Sequence, residues 1–115
     1  MKIIHNLKKE QHLITFETFK YNVQQWAIER KIPSEGTING QIEKLKEEAL
    51  EVDEAFKAVD TQNMLMEIGD VYVTLNNLCA CIGVEPEKCM EMAWLKIKDR
   101  KGEMRQGTFV KEADL

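Results

Sequence analysis

Apolar residues recur along this chain at steps of three and four, which is the period of one face of an α-helix. Four stretches have this period, and they cover about residues 9–31, 37–59, 64–82 and 86–101. Turn-forming residues separate them: Pro33 and Gly36 follow the first, Gly83 ends the third and Gly102 ends the fourth. Strand-like alternation is not sustained anywhere, and the last dozen residues have the pattern of an extended or looping tail. The chain is therefore predicted to be a single all-α domain over residues 1–115, a four-to-five-helix bundle with an extended C-terminal tail.

The predicted core of the second and third helices is an apolar stripe on each. The stripe residues are Ile38, Ile42, Leu45, Ala49, Val52 and Phe56 on the second helix, and Met64, Ile68, Val71, Leu75, Leu78 and Ile82 on the third. Beside each stripe lies an acidic pair, Glu48 with Glu51 and Glu67 with Asp70, at about 80° and 140° from the centre of the stripe. If the stripes pack together, four carboxylates converge at the edge of the core.

Four converging carboxylates repel one another unless a cation lies between them. Oxygen ligands alone select Mg²⁺ or Mn²⁺ over zinc or copper. The alternative is that the two pairs point to different solvated faces, which is common for acidic residues on helices.

A polar seam continues along the third helix beside its apolar stripe. Its members follow one another at steps of three and four: Glu67, Asp70, Thr74, Asn77 and Cys81. Thr74 and Asn77 are placed to hydrogen-bond a sugar or a base, although a wet groove or a subunit contact explains the seam equally well. Gly69 costs helical stability, and a close neighbouring helix, in this chain or in another subunit, would explain it.

Two further groups of residues have both a structural and a functional interpretation. The fourth helix ends in Lys96–Lys101, and the helix dipole alone favours cations there. The functional interpretation is a phosphate clamp, with Lys98 and Lys101 on one helix face and Arg100 as a bidentate donor. Trp26 more often lies in a core than under a base, and both interpretations stay open.

Composition limits the partners. The 115 residues include 16 Lys and Arg against 20 Asp and Glu, a net charge of −4, which disfavours duplex nucleic acid and anionic membranes. Cys79, Cys81 and Cys89 lie within helix-like segments and are expected to be reduced core thiols. With no membrane span and no signal peptide in the sequence, a cytoplasmic location is expected.

The acidic residues give the sequence a resemblance to the MazG-like nucleotide pyrophosphohydrolases of the all-α NTP pyrophosphatase superfamily. The pattern of that superfamily is EExxE followed by ExxD, matched here by Glu47–Glu51 and Glu67–Asp70 with 15 residues between them. The match covers about residues 25–115 and is of the small single-domain type found in bacteria and phages. The flanking residues that also match are Ile32-Pro33, Gly36-Thr37, Gln41, Lys44-Leu45 and the terminal segments KDRKGEM and GTFVKEADL.

The resemblance implies an enzyme that hydrolyses a nucleoside triphosphate, NTP or dNTP, between its α and β phosphates to a monophosphate and pyrophosphate. Glu48, Glu51, Glu67 and Asp70 match the Mg²⁺ ligands of the family, with Mn²⁺ as a possible substitute, and Glu47 would orient or deprotonate water. Lys98, Arg100 and Lys101 would hold the phosphate chain. Relatives of this type assemble into homodimers or homotetramers. The alternative is a non-catalytic helical interaction module with an acidic edge, a degenerate relative that kept the fold.

Overall fold

The computed structural model describes residues 13–115, and most of them are helical. The helices are α1 (Phe16–Glu29), α2 (Ile32–Glu35), α3 (Ile38–Lys57), α4 (Thr61–Ile82) and α5 (Pro86–Ile97). Two strands, β1 (Gly102–Arg105) and β2 (Thr108–Lys111), and a 3₁₀ turn (Glu112–Asp114) follow them. The prediction of a mainly helical chain is confirmed. No helix within residues 13–115 is long and apolar enough to cross a membrane.

The three long helices α1, α3 and α4 begin at side chains that accept a backbone hydrogen bond. The Thr15 hydroxyl accepts from the Thr18 N–H at 3.1 Å, and the Thr37 hydroxyl accepts from the Gly40 N–H at 2.9 Å. Asp60 caps α4 in the same way, so this helix begins at Thr61 rather than near residue 64 as predicted. The first helix begins at Phe16, and residues 9–12 of its predicted span lie outside the described residues.

Two segments differ from the prediction. The link after the first helix contains the one-turn helix α2, which has Pro33 in its first turn. The tail forms an antiparallel hairpin in which Gly102 pairs with Lys111 and Arg105 with Thr108. Gln106 and Gly107 both have positive φ, at 49° and 89°, which is the geometry of a tight two-residue hairpin turn. Strands of four residues are too short for alternation to reveal them.

The chain divides into two compact units, of which the first ends at Gly83 and the second begins at Val84. In the first unit, α3 and α4 are joined by a three-residue link and pack side by side as a helical hairpin, and α1 and α2 both contact α4. In the second unit, α5 is followed by the β1–β2 hairpin and the 3₁₀ turn, which contacts β1.

The α3–α4 contact is more polar than predicted. The buried residues of these two helices are Glu48 and Ala55 on α3 and Thr74, Asn77 and Cys79 on α4. Seven residues of the predicted apolar core are instead exposed: Ile38, Ile42, Ala49, Phe56, Ile68, Leu75 and Ile82. The contact face of α3 is rotated by roughly 60° from its apolar stripe toward Glu48, at about 100° per residue. The polar seam of α4 therefore faces α3, and the apolar stripes lie on the flank of the hairpin.

Substitution of Thr37, the N-cap of α3, tests how much the cap stabilises the helix that carries Glu48. Thr37→Ala removes the acceptor for the Gly40 N–H and is expected to lower the free energy of unfolding by about 1 kcal/mol. Thr37→Ser keeps the acceptor and should stay within a few tenths of a kcal/mol of the parent chain. Urea titration followed by circular dichroism measures both, and equal stabilities of the two variants would contradict the capping role.

Candidate metal centre

Three carboxylates meet on the contact face of α3 and α4. One oxygen each from Glu48, Glu67 and Asp70 lies within 4.8 Å of the other two. Glu67 and Asp70 are three residues apart on α4 and share one side of that helix, while Glu48 reaches them from α3. The convergence predicted from the two acidic pairs is therefore present for these three residues.

Glu48 is the most buried of the acids in this cluster. Its side chain is 9% exposed, and its Oε1 lies 3.2 Å from the Nζ of Lys44, one turn earlier on α3. Its Oε2 is buried and has no hydrogen-bond partner, and the same is true of Oε2 of Glu67. A buried carboxylate oxygen without a donor is costly, because it has lost water and gained nothing in return. Both oxygens can accept a bond from a cation or another donor.

The pKa of Glu67 is raised to about 7. The largest cause is a hydrogen bond with the carboxyl of Glu51, followed by loss of solvent, the negative charges of Glu51 and Asp70, and a hydrogen bond with Glu48. These neighbours disfavour the ionised form of Glu67, so its protonation near neutral pH lowers the negative charge of the cluster.

The other two predicted acids lie on either side of the cluster. Glu51 is half-buried and, with Glu67, lines a polar cavity of about 420 Å³ between the end of α3 and the start of α4. Glu47 is exposed, and its Oε2 lies 3.5 Å from the Nζ of Lys44. Bonds to Glu48 and Glu47 raise the pKa of Lys44, the hydrogen bond with Glu48 having the largest effect. Lys44 was not predicted to have a role, although its position four residues before Glu48 on one helix predicts an ion pair between them.

The polar seam of α4 continues away from the acids. The Thr74 hydroxyl donates to the backbone carbonyl of Asp70 at 3.0 Å, so its proton is already used. Asn77 is buried, and its Oδ1 has no hydrogen-bond partner. A substrate contact from either residue stays a prediction.

Gly69 has no close neighbouring helix among the described residues of its own chain, and a neighbour from another subunit stays a prediction. A Cβ at this position would meet nothing within 4 Å among the described residues. Gly69 instead borders an apolar cavity of about 170 Å³ between α1 and α4, together with Phe16, Phe19 and Tyr72.

Trp26 does not lie in the core. It is 43% exposed, and the Arg30 guanidinium lies 4.4 Å from the centre of its ring. Arg30 also donates to the Trp26 carbonyl at 3.1 Å, and the spacing of four residues on α1 brings the two side chains together. The role of Trp26 as a base platform stays a prediction.

The basic residues of the predicted clamp lie in the second unit. Helix α5 ends at Ile97, so Lys98 is its C-cap and Arg100 and Lys101 lie beyond the helix. The expectation that Lys98 and Lys101 share a helix face is therefore wrong. All three side chains are exposed, and the phosphate clamp itself stays a prediction.

The cysteines, all within residues 13–115, form no disulfide. Cys79 is buried and Cys81 half-buried, with the Cys81 thiol donating to the Ile32 carbonyl at 3.5 Å. Cys89 is exposed, so the expectation of a core position is wrong for this residue.

Comparison of the chain with protein-family models, with curated proteins and with solved structures finds no significant match. The resemblance to the MazG-like family thus remains an interpretation of the acidic pattern and its flanking residues.

The raised pKa of Glu67 predicts how the stability of the metal-free protein depends on pH. The pKa is 4.5 when the chain is unfolded and about 7 when it is folded, so the folded state takes up a proton between these values. The stability that Glu67 contributes is full below about pH 4.5 and is lost as the pH rises through about 7. Glu67→Gln should remove this pH dependence, because glutamine does not titrate. The stability of the variant relative to that of the parent chain should therefore rise as the pH rises.

Thermal midpoints measured in a chelator between about pH 5 and pH 8 test this expectation. Glu43→Gln, an exposed position on α3, is the control and should follow the parent chain at every pH. Parallel pH profiles for the parent chain and Glu67→Gln would contradict the raised pKa.

Proposed function

We propose that this chain is a divalent-metal-dependent nucleoside triphosphate pyrophosphohydrolase of the all-α NTP pyrophosphatase type. It would cleave NTP or dNTP between the α and β phosphates to give a monophosphate and pyrophosphate. The observation that carries the proposal is the buried Oε2 of Glu48, which has no donor and belongs to a carboxylate grouped with Glu67 and Asp70. A hard cation satisfies such oxygens where water does not reach them.

The chemistry of the donors fits Mg²⁺, with Mn²⁺ as a substitute. All the ligand atoms are carboxylate oxygens, and zinc and copper prefer sites that contain nitrogen or sulfur. Octahedral Mg²⁺ with bonds of about 2.1 Å separates neighbouring ligand oxygens by about 3 Å and opposite ones by about 4 Å. Oxygens within 4.8 Å of one another need small side-chain rotations to reach those separations.

The residues have distinct roles in this proposal. Glu48, Glu67 and Asp70 would hold the cation, with Glu51 beside Glu67 as the fourth ligand. When bound, the cation supplies positive charge to phosphate oxygens and lowers the pKa of a nearby water. The exposed carboxylate of Glu47 would orient that water or accept its proton. Lys98, Arg100 and Lys101 would bind the phosphate chain.

Assays of pyrophosphate release from a panel of nucleoside triphosphates, with and without Mg²⁺, test the proposed reaction. We expect metal-dependent release from at least one member, and Glu48→Gln and Asp70→Asn should each lower kcat/KM by at least about a hundredfold. The matched control is Glu43→Gln, which removes an exposed carboxylate from the same helix and should retain full activity.

If no nucleotide gives metal-dependent release of pyrophosphate, the proposed enzymatic activity is refuted. That result would favour the non-catalytic interaction module. Circular dichroism of each inactive variant separates loss of ligation from loss of fold. If Glu48→Gln is folded and fully active, Glu48 is not a ligand.

We also propose that the chain works as a homodimer or homotetramer. Within the first unit, the exposed stripe residues of α3 and α4 fall on the same side of the helical hairpin, since the two helices run in opposite directions. Ile68, Leu75 and Ile82 on α4 are 39%, 39% and 48% exposed, which leaves a continuous apolar flank. Packing of this flank against a second copy would supply the buried apolar area that the hairpin contact lacks.

The mass of the particle in solution tests the oligomer. Light scattering after size exclusion should give a multiple of 13.3 kDa. Leu75→Lys on the apolar flank should shift the mass toward the monomer, because burying a lysine there is costly. Leu50→Lys is the control, since Leu50 is exposed on α3 and points away from this flank. A monomeric parent chain, or equal masses for the two variants, would contradict the proposed interface.

A further inference from the structure

Lys44 is the basic residue that forms an ion pair with the buried carboxylate of Glu48. Its Nζ lies 3.2 Å from Oε1 of Glu48 and 3.5 Å from Oε2 of Glu47. The lysine side chain is 49% exposed, whereas that of Glu48 is 9% exposed. The ammonium therefore compensates a buried charge from the solvent side and is free to move away at small cost.

The two oxygens of Glu48 are treated differently. Oε1 is paired with Lys44, and Oε2 is buried without a partner in a carboxylate that lies beside Glu67 and Asp70. A single ammonium carries one charge, which is less than the negative charge of three grouped carboxylates. Lys44 thus neutralises part of the cluster and leaves a deficit of positive charge beside Oε2.

We propose that Lys44 is the resident counter-cation of the empty cluster, and that a divalent metal ion takes over its role at Glu48. The proposal rests on the metal site of the proposed function. Lys44 and the metal would compensate the same negative charge, so each lowers the benefit of the other. Lys44 would keep the metal-free cluster folded, at the expense of metal affinity.

Removal of Lys44 should therefore have opposite effects on the empty and the loaded protein. Lys44→Met keeps the length and the apolar stem of the side chain and removes the charge. In a chelator, we expect its thermal midpoint to fall below that of the parent chain. The variant should bind Mn²⁺ roughly three- to tenfold more tightly, because a like charge near the ion is gone.

Lys46→Met is the matched control for this experiment. It also lowers the net charge by one on the same helix, but Lys46 pairs with the exposed Glu43 at 3.1 Å, outside the cluster. The local effect of Lys44 is the difference between the two variants. Lys44→Arg keeps the charge and should keep the Mn²⁺ affinity of the parent chain.

Calorimetric titration with Mn²⁺ at about pH 8 gives the affinities. A tighter affinity for Lys44→Met than for Lys46→Met supports the proposal. Equal affinities overturn it. A weaker affinity for Lys44→Met also overturns it, because Lys44 would then hold Glu48 in place for the metal.

Two further results separate failure of the metal site from failure of the role proposed for Lys44. If the parent chain binds no Mn²⁺, the metal site itself fails, which differs from binding that is insensitive to Lys44. If Lys44→Met does not fold in a chelator, Lys44→Gln repeats the titration. Recovery of the folded state of either variant on addition of Mn²⁺ would support the proposal, and failure to recover would overturn it.

Discussion

The buried carboxylate of Glu48 is the constraint on which the rest of the site depends. Out of water, a carboxylate needs positive charge or hydrogen-bond donors, and here one oxygen has Lys44 while the other has no donor. The neighbouring Glu67 partly avoids the same problem, since the carboxyl of Glu51 and loss of solvent raise its pKa to about 7. A proton, an ammonium and a metal ion are thus three ways of supplying positive charge to one cluster.

The helical hairpin makes this arrangement possible. Capping by Thr37 and Asp60 fixes where α3 and α4 begin, and the short link between them restrains which faces meet. Glu48 on α3 faces Glu67 and Asp70 on α4, and seven residues of the predicted apolar stripes are exposed. The hairpin therefore buries less apolar surface within the chain than predicted. Its two helices meet at a polar interface, and the apolar flank lies beside that interface.

The sequence was sufficient for the parts that depend on local periodicity. The sequence predicts the helices α1, α3, α4 and α5, the stop at Gly83 and the grouping of Glu67 with Asp70 from helical spacing and end signals. The contact face of α3 could not be predicted in this way, because periodicity locates apolar residues but not the surface that covers them. Nor could the hairpin at the tail, whose strands have four residues each. The pair of Lys44 and Glu48 was within reach, but ion pairs at this spacing usually lie on solvated faces.

The net charge of −4 has to be weighed against the position of the charges. An overall acidic chain repels polyphosphates at long range, but this repulsion is screened over about 8 Å in physiological salt. At short range, the charge within the cluster determines the electrostatic interaction with a cation. A half-exposed ammonium stabilises a carboxylate only modestly, whereas a divalent ion carries two charges and contacts several oxygens at once. In the proposed function, a metal ion would therefore take over the role of Lys44 at Glu48, and a triphosphate that arrives with magnesium would bring that ion with it.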